Sequence, residues 1–285
     1  MSSLKELKTR IQSVRSTQKI TSAMKMVSSV KLMKAEKVVN SFLPYEQALL
    51  QILNNYLSSQ VFSNSPFREI REVRRAGLVV FASNSSLCGS YNSNVIKAME
   101  EFISHQGIGK QDILIYPVGK KIADHCKQKN LKIAGEFEDI AALPTFENTK
   151  PIADNLINSF LNNEIDRINI IYQHYVNKST QTLKVDTFLP IDITYPTTKD
   201  IRNDYIVEPS TEEVENLLIP MVLQYHLYAA AIEANASEHA ARTIAMQIAT
   251  ENAENILQEL SLQYNKLRQE SITNQILDLI GGSLQ

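Results

Sequence analysis

The chain has 285 residues, 44% apolar and 21% charged, with 29 bases against 31 acids and a formal net charge of -2. That balance excludes a globally basic nucleic-acid binder and a strongly acidic disordered chain, and the length leaves room for about two domains. Only 8 glycines and 9 prolines are present, which disfavours a turn-rich all-β protein and favours long uninterrupted helices. Cys88 and Cys126 have neither metal-ligand spacing nor the numbers for a disulfide framework, so a reducing compartment is expected. The opening MSSLKELKTR passes straight into charged helical sequence. With no signal-like apolar core and no run of about 18 apolar residues, no direct membrane insertion is expected.

The first segment, Ser3 to about Asn40, contains no Pro or Gly. Leu4, Leu7, Ile11 and Val14 follow the 3-4-3 spacing of a coiled-coil seam. Ile20, Met24 and Val27 fall out of that phase, which predicts a local change of winding. Pro44 interrupts FLPYEQALLQILNNYL and is expected to kink or restart the helix, which Leu49, Leu50, Leu53 and Leu57 carry to about Ser58.

From Arg75 to Ile193 the period changes. The β-rich runs GLVVFAS, DILIYPV, LKIAGEF, RINIIYQHY and LKVDTFLP alternate with helical candidates Ser93 to His105, Lys120 to Lys129 and Pro151 to Asn162. Strand and helix in alternation predict an α/β layer with a mainly parallel sheet. The short polar gap before the last run predicts an antiparallel hairpin. Tyr195 to Glu213 is polar and Pro-containing and reads as a linker, with Ser210 placed to cap the next helix. A kink is expected at Pro220.

Met221 to Ile280 then runs sixty residues without Pro or Gly and stops at Gly281 and Gly282. As one helix it would be about 90 Å long at roughly 1.5 Å per residue. Its many charges rule out a membrane span, which leaves a coiled coil. Met246, Ala249, Ala253, Ile256, Leu260 and Leu267 define a seam with one polar step at Gln263. Met221, Tyr225, Tyr228 and Ile232 form a stripe expected to pack on the α/β layer.

The two ends carry opposite charge. Residues 1 to 40 hold nine bases and two acids, a net of +7; residues 211 to 280 hold ten acids and three bases, a net of -7. Exposed pairs contribute only about 0 to 1 kcal/mol each, yet they can choose a partner. The pattern predicts an antiparallel coiled coil within one chain, with the α/β domain inserted between its strands and part of the basic stripe facing outward. The expected divisions are 1–60, 75–195 and 208–285.

For chemistry, SNSSLCGSYNSN at Ser83 to Asn94 follows the first strand, where α/β folds bind ligands. It has a single glycine and lacks both the dinucleotide and the phosphate-loop fingerprints. Cys88 reads as a small buried hydrophobe rather than a nucleophile. His105, His125, His174, His226 and His239 match no metal spacing. The polar cluster RQESIT, Arg268 to Thr273, leads into the apolar tip ILDLI, a helix end suited to an interaction surface. Alternative readings from residues alone are a non-catalytic coiled-coil scaffold and an enzyme using the Cys88 loop.

SVRSTQKITSAMKMV (Ser13 to Val27), ASEHAARTIAMQIATENAENIL (Ala236 to Leu257) and YNKLRQESITNQI (Tyr264 to Ile276) resemble the terminal signatures of the gamma subunits of rotary F-type ATP synthases, and the resemblance spans the whole chain. It implies a Rossmann-like α/β foot on an antiparallel coiled coil that turns inside a hexamer of alpha and beta subunits. The foot would stand with the epsilon subunit on the membrane ring of c subunits. It further implies a peripheral, non-catalytic, cofactor-free subunit on the cytoplasmic side of a bacterial membrane. Matching positions put Lys19, Met24 and Arg242 near the beta subunits' moving lobe. Arg268, Gln269, Thr273 and Ile276 would meet alpha and beta subunits higher up, and Tyr205 and Glu208 would face the c ring and epsilon. The chain departs from the family's Asp-Arg-Gly-Leu-Cys-Gly loop, having Asn84, Ser85, Ser86, Leu87, Cys88 and Gly89 there.

Overall fold

The computed structural model describes residues 4–59, 65–105, 107–191 and 211–282. In chain order, two very long helices, α1 (Leu4–Ser59) and α6 (Thr211–Gly282), precede and follow the strands β1 (Ala76–Phe81), β2 (Ile113–Val118), β3 (Arg167–Asn177) and β4 (Thr180–Leu189). Four shorter helices lie between: α2 (Tyr91–His105), α3 (Lys120–Gln128), α4 (Glu138–Ala142) and α5 (Phe146–Leu161). The chain divides into two compact units, Met1–Ser29 with Arg242–Gln285, and Val30–Ala241.

In the Val30–Ala241 unit the strand order is β2-β1-β3-β4. β1 pairs in parallel with both β2 and β3, and β4 closes the expected antiparallel hairpin onto β3. All of β1 is buried, as a central parallel strand covered on both faces should be. The period-two rule divides it: Val79 and Phe81 join the core made with α1, α5 and α6, while Leu78 and Val80 join the core under α2 and α3. The stripe on α6 packs partly on the α/β layer, as expected, and partly on α1. Tyr225 stacks on Phe146 of α5 at 4.6 Å, Tyr228 meets Phe42 of α1 edge-on at 4.8 Å, and Ile232 is buried beside Val39.

Several local expectations change. LKIAGEF is not a strand: it makes one parallel bridge, Ile133 to Ile115, held by two backbone bonds around Ile115. α5 begins five residues before Pro151 because Thr145 and Asn148 form a reciprocal cap, each side chain bonding the other's backbone N–H. Neither Pro44 nor Pro220 ends its helix. Asn40 and Asn216, whose carbonyls lose their helical donors to these prolines, are both exposed residues, where water is available to the freed carbonyl. Ser210, and most of the linker, lie outside the described residues. One 18-residue window of α6 has the length and composition to cross a membrane, but 56% of it is buried inside the protein, as in a core helix.

Gly119 joins β2 to α3 at φ 110°, and a Cβ there would sit 2.2 Å from the Ala82 carbonyl oxygen. Gly119→Ala is therefore expected to destabilise the chain by at least about 2 kcal/mol, because backbone rather than a flexible side chain must move. A thermal melt of the variant against the parent measures it.

Candidate functional site

The surface with the most to offer lies on the unit of Met1–Ser29 and Arg242–Gln285. Its two helices meet along a seam that keeps strict heptad spacing on α1. Leu4, Leu7, Ile11, Val14, Gln18, Thr21, Lys25 and Ser28 are all buried or half-buried, with Leu7, Thr21 and Ser28 at 9% exposure or less. The expected phase slip is absent. The seam continues through polar and small residues, while Ile20 and Val27 point outward at 60% and 58% exposure. On α6 the alternate seam positions are Thr250, Leu257 and Tyr264, not Ala249, Ile256 and Gln263. Ile256 is 41% exposed, whereas Leu257 is half-buried between the buried Ala253 and Leu260.

Thr250 Oγ1 lies 2.8 Å from Thr21 Oγ1, fixing the register. Counting outward at equal rise along antiparallel helices sets Leu4 level with Leu267, Leu7 with Tyr264, Ile11 with Leu260 and Val14 with Leu257. In the other direction Lys25 falls level with Met246 and Ser28 with Thr243. The unit's own limits, Ser29 and Arg242, also fall level. Four apolar layers thus occupy the end nearer Leu4, and small or polar residues supply most of the rest, with Met246 as a buried apolar exception.

Two features of this surface are unspent. Lys5, Lys8, Arg10, Arg15 and Lys19 are all exposed, and among the described residues none of them makes an ion pair. For these five bases, the pairing of the helices rests on the seam rather than on direct ion pairs among the described residues. Beyond Leu267, α6 continues to Gly282 with no described residue of α1 beside it, a projection of about 22 Å. On it Ile272, Ile276, Leu277 and Leu279 are 48% to 74% exposed.

The expected contact residues divide accordingly. Lys19 is exposed on the outer face of α1, and Met24 is half-buried beside the seam. Arg242 is 7% exposed and lies level with Ser29, about five residues along the helix from Met24. Arg268, Gln269, Thr273 and Ile276 are all exposed on the unaccompanied stretch of α6. Tyr205 and Glu208 lie outside the described residues. The residues that sequence reasoning missed are Gln18, Thr21, Ser28 and Thr250; counting 3-4 steps past them, regardless of polarity, would have found them.

The Ser83–Asn94 loop offers no comparable surface. Cys88 is 1% exposed and accepts from Asn92 Nδ2 at 3.1 Å, while Asn92 also accepts from the Ser83 backbone N–H, knotting the loop against β1. Burial pushes the Cys126 thiol up to about 11, against thiolate chemistry there.

Comparison with known proteins is consistent along the whole chain. The ATP synthase family profile matches residues 3–284. The ATP synthase gamma chain of Phocaeicola vulgatus is 45% identical over 288 residues, and that of a Bacteroides fragilis strain 47% identical over 289, each match covering 100% of both chains. Among solved structures, the rotor of Euglena gracilis mitochondrial ATP synthase aligns with a TM-score of 0.65 at 19% identity, over 94% of this chain and 98% of that one. The central stalk and c ring of the Tetrahymena thermophila mitochondrial enzyme gives 0.59 at 20% identity, over 81% and 99%. At these identities the structural likenesses speak for the fold.

The seam register predicts which cysteines can be joined. Thr21→Cys with Thr250→Cys should form a disulfide on mild oxidation, whereas Thr21→Cys with Leu257→Cys, about 10 Å out of level, should not. A non-reducing gel distinguishes the two.

Proposed function

Because the chain belongs to the family of ATP synthase gamma chains, we infer that it is the central rotor shaft of the catalytic head, coupling ion flow through the membrane ring to ATP synthesis and hydrolysis. It is a non-catalytic subunit of that enzyme complex. Its partners are the alternating alpha and beta subunits, the epsilon subunit and the c ring, and it is peripheral to the membrane. Bacterial relatives support a bacterial membrane-associated complex, and the cytoplasmic side is the proposed face. The proposed divisions are a helix at 1–60, a foot at 75–195 and a helix at 208–285.

The observation that carries this reading is the dissimilarity of the paired helices' two outer faces. That of α1 is basic and apolar, with Lys5, Lys8, Arg15, Lys19, Ile20 and Val27 exposed; that of α6 presents exposed Glu251, Glu254 and Glu259. A rotor shifts a site between states only by contacting those states differently, and a shaft whose faces differ does so three times per turn. Lys19, Met24 and Arg242 are the proposed contacts toward the beta subunits' moving lobe. Arg268, Gln269, Thr273 and Ile276 are the proposed contacts with alpha and beta at the projecting end. Tyr205 and Glu208 are proposed to face the c ring and epsilon.

Met24→Lys adds a charge beside Lys25 and the exposed basic face. In complexes reassembled with the other subunits in membrane vesicles, it is expected to lower ATP-driven ion pumping several-fold relative to hydrolysis. Cys88→Ala is expected to leave both nearly unchanged. Equal pumping-to-hydrolysis ratios for Met24→Lys and the parent would count against the assigned contact.

A further inference from the structure

Inside the Val30–Ala241 unit, buried acids tie three layers together. His226 Nδ1 on α6 lies 2.9 Å from Glu46 Oε1 on α1, with the two side chains only 16% and 10% exposed. His174 Nδ1 on β3 lies 2.8 Å from Glu233 Oε2 on α6, whose side chain is 5% exposed. Tyr175 of β3 donates to Glu36 of α1, and Tyr172 of β3 donates to Asp186 of β4 at 3.0 Å. Each of the two histidine bonds therefore joins separate elements, with one carboxylate on each imidazole and two more held by tyrosines.

We propose that the His226–Glu46 pair is a proton-operated fastening of α1 to α6, closed when the His226 imidazole is charged and loosened as pH rises, with the His174–Glu233 bond tying the same stretch of α6 to the sheet. A charged imidazole gives its carboxylate a strong, charge-assisted bond. Once neutral, it leaves buried carboxylates facing others of the same sign. Around His226 these are Glu46 from α1, Asp186 from β4 and Glu233 on α6 itself. Around Glu233 stand His174 from β3, Lys184 from β4 and Glu46. Phe188 of β4 stacks on the His226 ring at 6.4 Å. A cavity of about 240 Å³, lined by His226, Asp186, Phe188, Leu53 and Val222 among others, adjoins the pair and can admit water to it.

The direction follows from the charges. Burial alone would lower the pKa of His226, but the adjoining Glu46 and the further Asp186 and Glu233 hold it above its ordinary 6.5. Burial pushes Glu233 above its ordinary 4.5, with His174 opposing. Both groups bind protons more tightly in the folded chain, so both add stability at low pH and lose it as pH rises through their folded values. The His226 contribution is complete below its ordinary 6.5 and is lost as pH rises through its higher folded value.

Thermal melts of the full chain at about pH 6 and about pH 9 test this, with His226→Gln, Glu46→Gln and the His174→Gln/His226→Gln pair beside the parent. The parent should melt at least about 2 to 4 °C lower at the alkaline value. The substituted chains should show most of that drop already at pH 6 and a flatter pH dependence. His105→Gln, at an exposed histidine, should keep the parent's slope. Should a variant not fold, NMR titration of the parent's His226 ring decides: a midpoint above the ordinary value supports the fastening. A midpoint below it, or parallel melting curves for parent and double variant, overturns it.

Discussion

A helix of 72 residues does not persist in water on backbone bonds alone; some stripe of it must be covered along its length. α6 meets that demand in two ways. Between Arg242 and Leu267 its cover is one stripe of heptad positions against α1, and the remaining faces stay wet. Between Leu227 and Ala240 nearly the whole circumference is buried, and Ala229, Ala230, Ala231, Ala234, Ala236 and Ala240 are each 4% exposed or less. Alanine serves both helix propensity and close approach there. A helix buried all round has the composition of a membrane helix, which explains its apolar window without a membrane.

The same division of labour separates what is rigid from what is offered. Transmission of torque needs a body that resists deformation by the energy transmitted. Each charge crossing about 100 mV supplies about 2.3 kcal/mol, and several together approach the 5 to 15 kcal/mol that holds a typical domain folded. A single helix has no second strand to share such a load. The apolar layers from Leu4–Leu267 to Val14–Leu257 provide one. At Thr21–Thr250 a hydrogen bond rather than bulk sets the alignment of the two helices.

The α/β alternation was legible because buried strands and amphipathic helices write different periods. LKIAGEF failed because a β-rich run does not reveal whether a neighbouring strand will accept more than one residue; here only Ile133 is taken. The hairpin and both long helices were readable, and the seam only in part. Periodicity records which residues are apolar, and in α1 those are partly the wrong ones. Ile20 and Val27 are apolar and exposed, while Gln18 and Thr21 are polar and in the seam. A residue kept apolar for a partner surface looks identical, in one sequence, to a residue kept apolar for its own core. Pro44 and Pro220 lie inside their helices without ending them. A proline removes one helix bond, a loss that a long, packed helix can absorb.

The projecting end of α6 also affects how such a chain can be made in a cell. Ile272, Ile276, Leu277 and Leu279 together put apolar surface where water is, and Ile20 and Val27 add more on α1. Patches of that kind invite association with whatever is nearest. A newly finished chain is therefore at its most vulnerable between leaving the ribosome and meeting its partners. Surplus copies have nowhere to hide this surface and become clients of chaperones and proteases. Matched synthesis of the companion subunits is thus a folding requirement as much as a matter of economy.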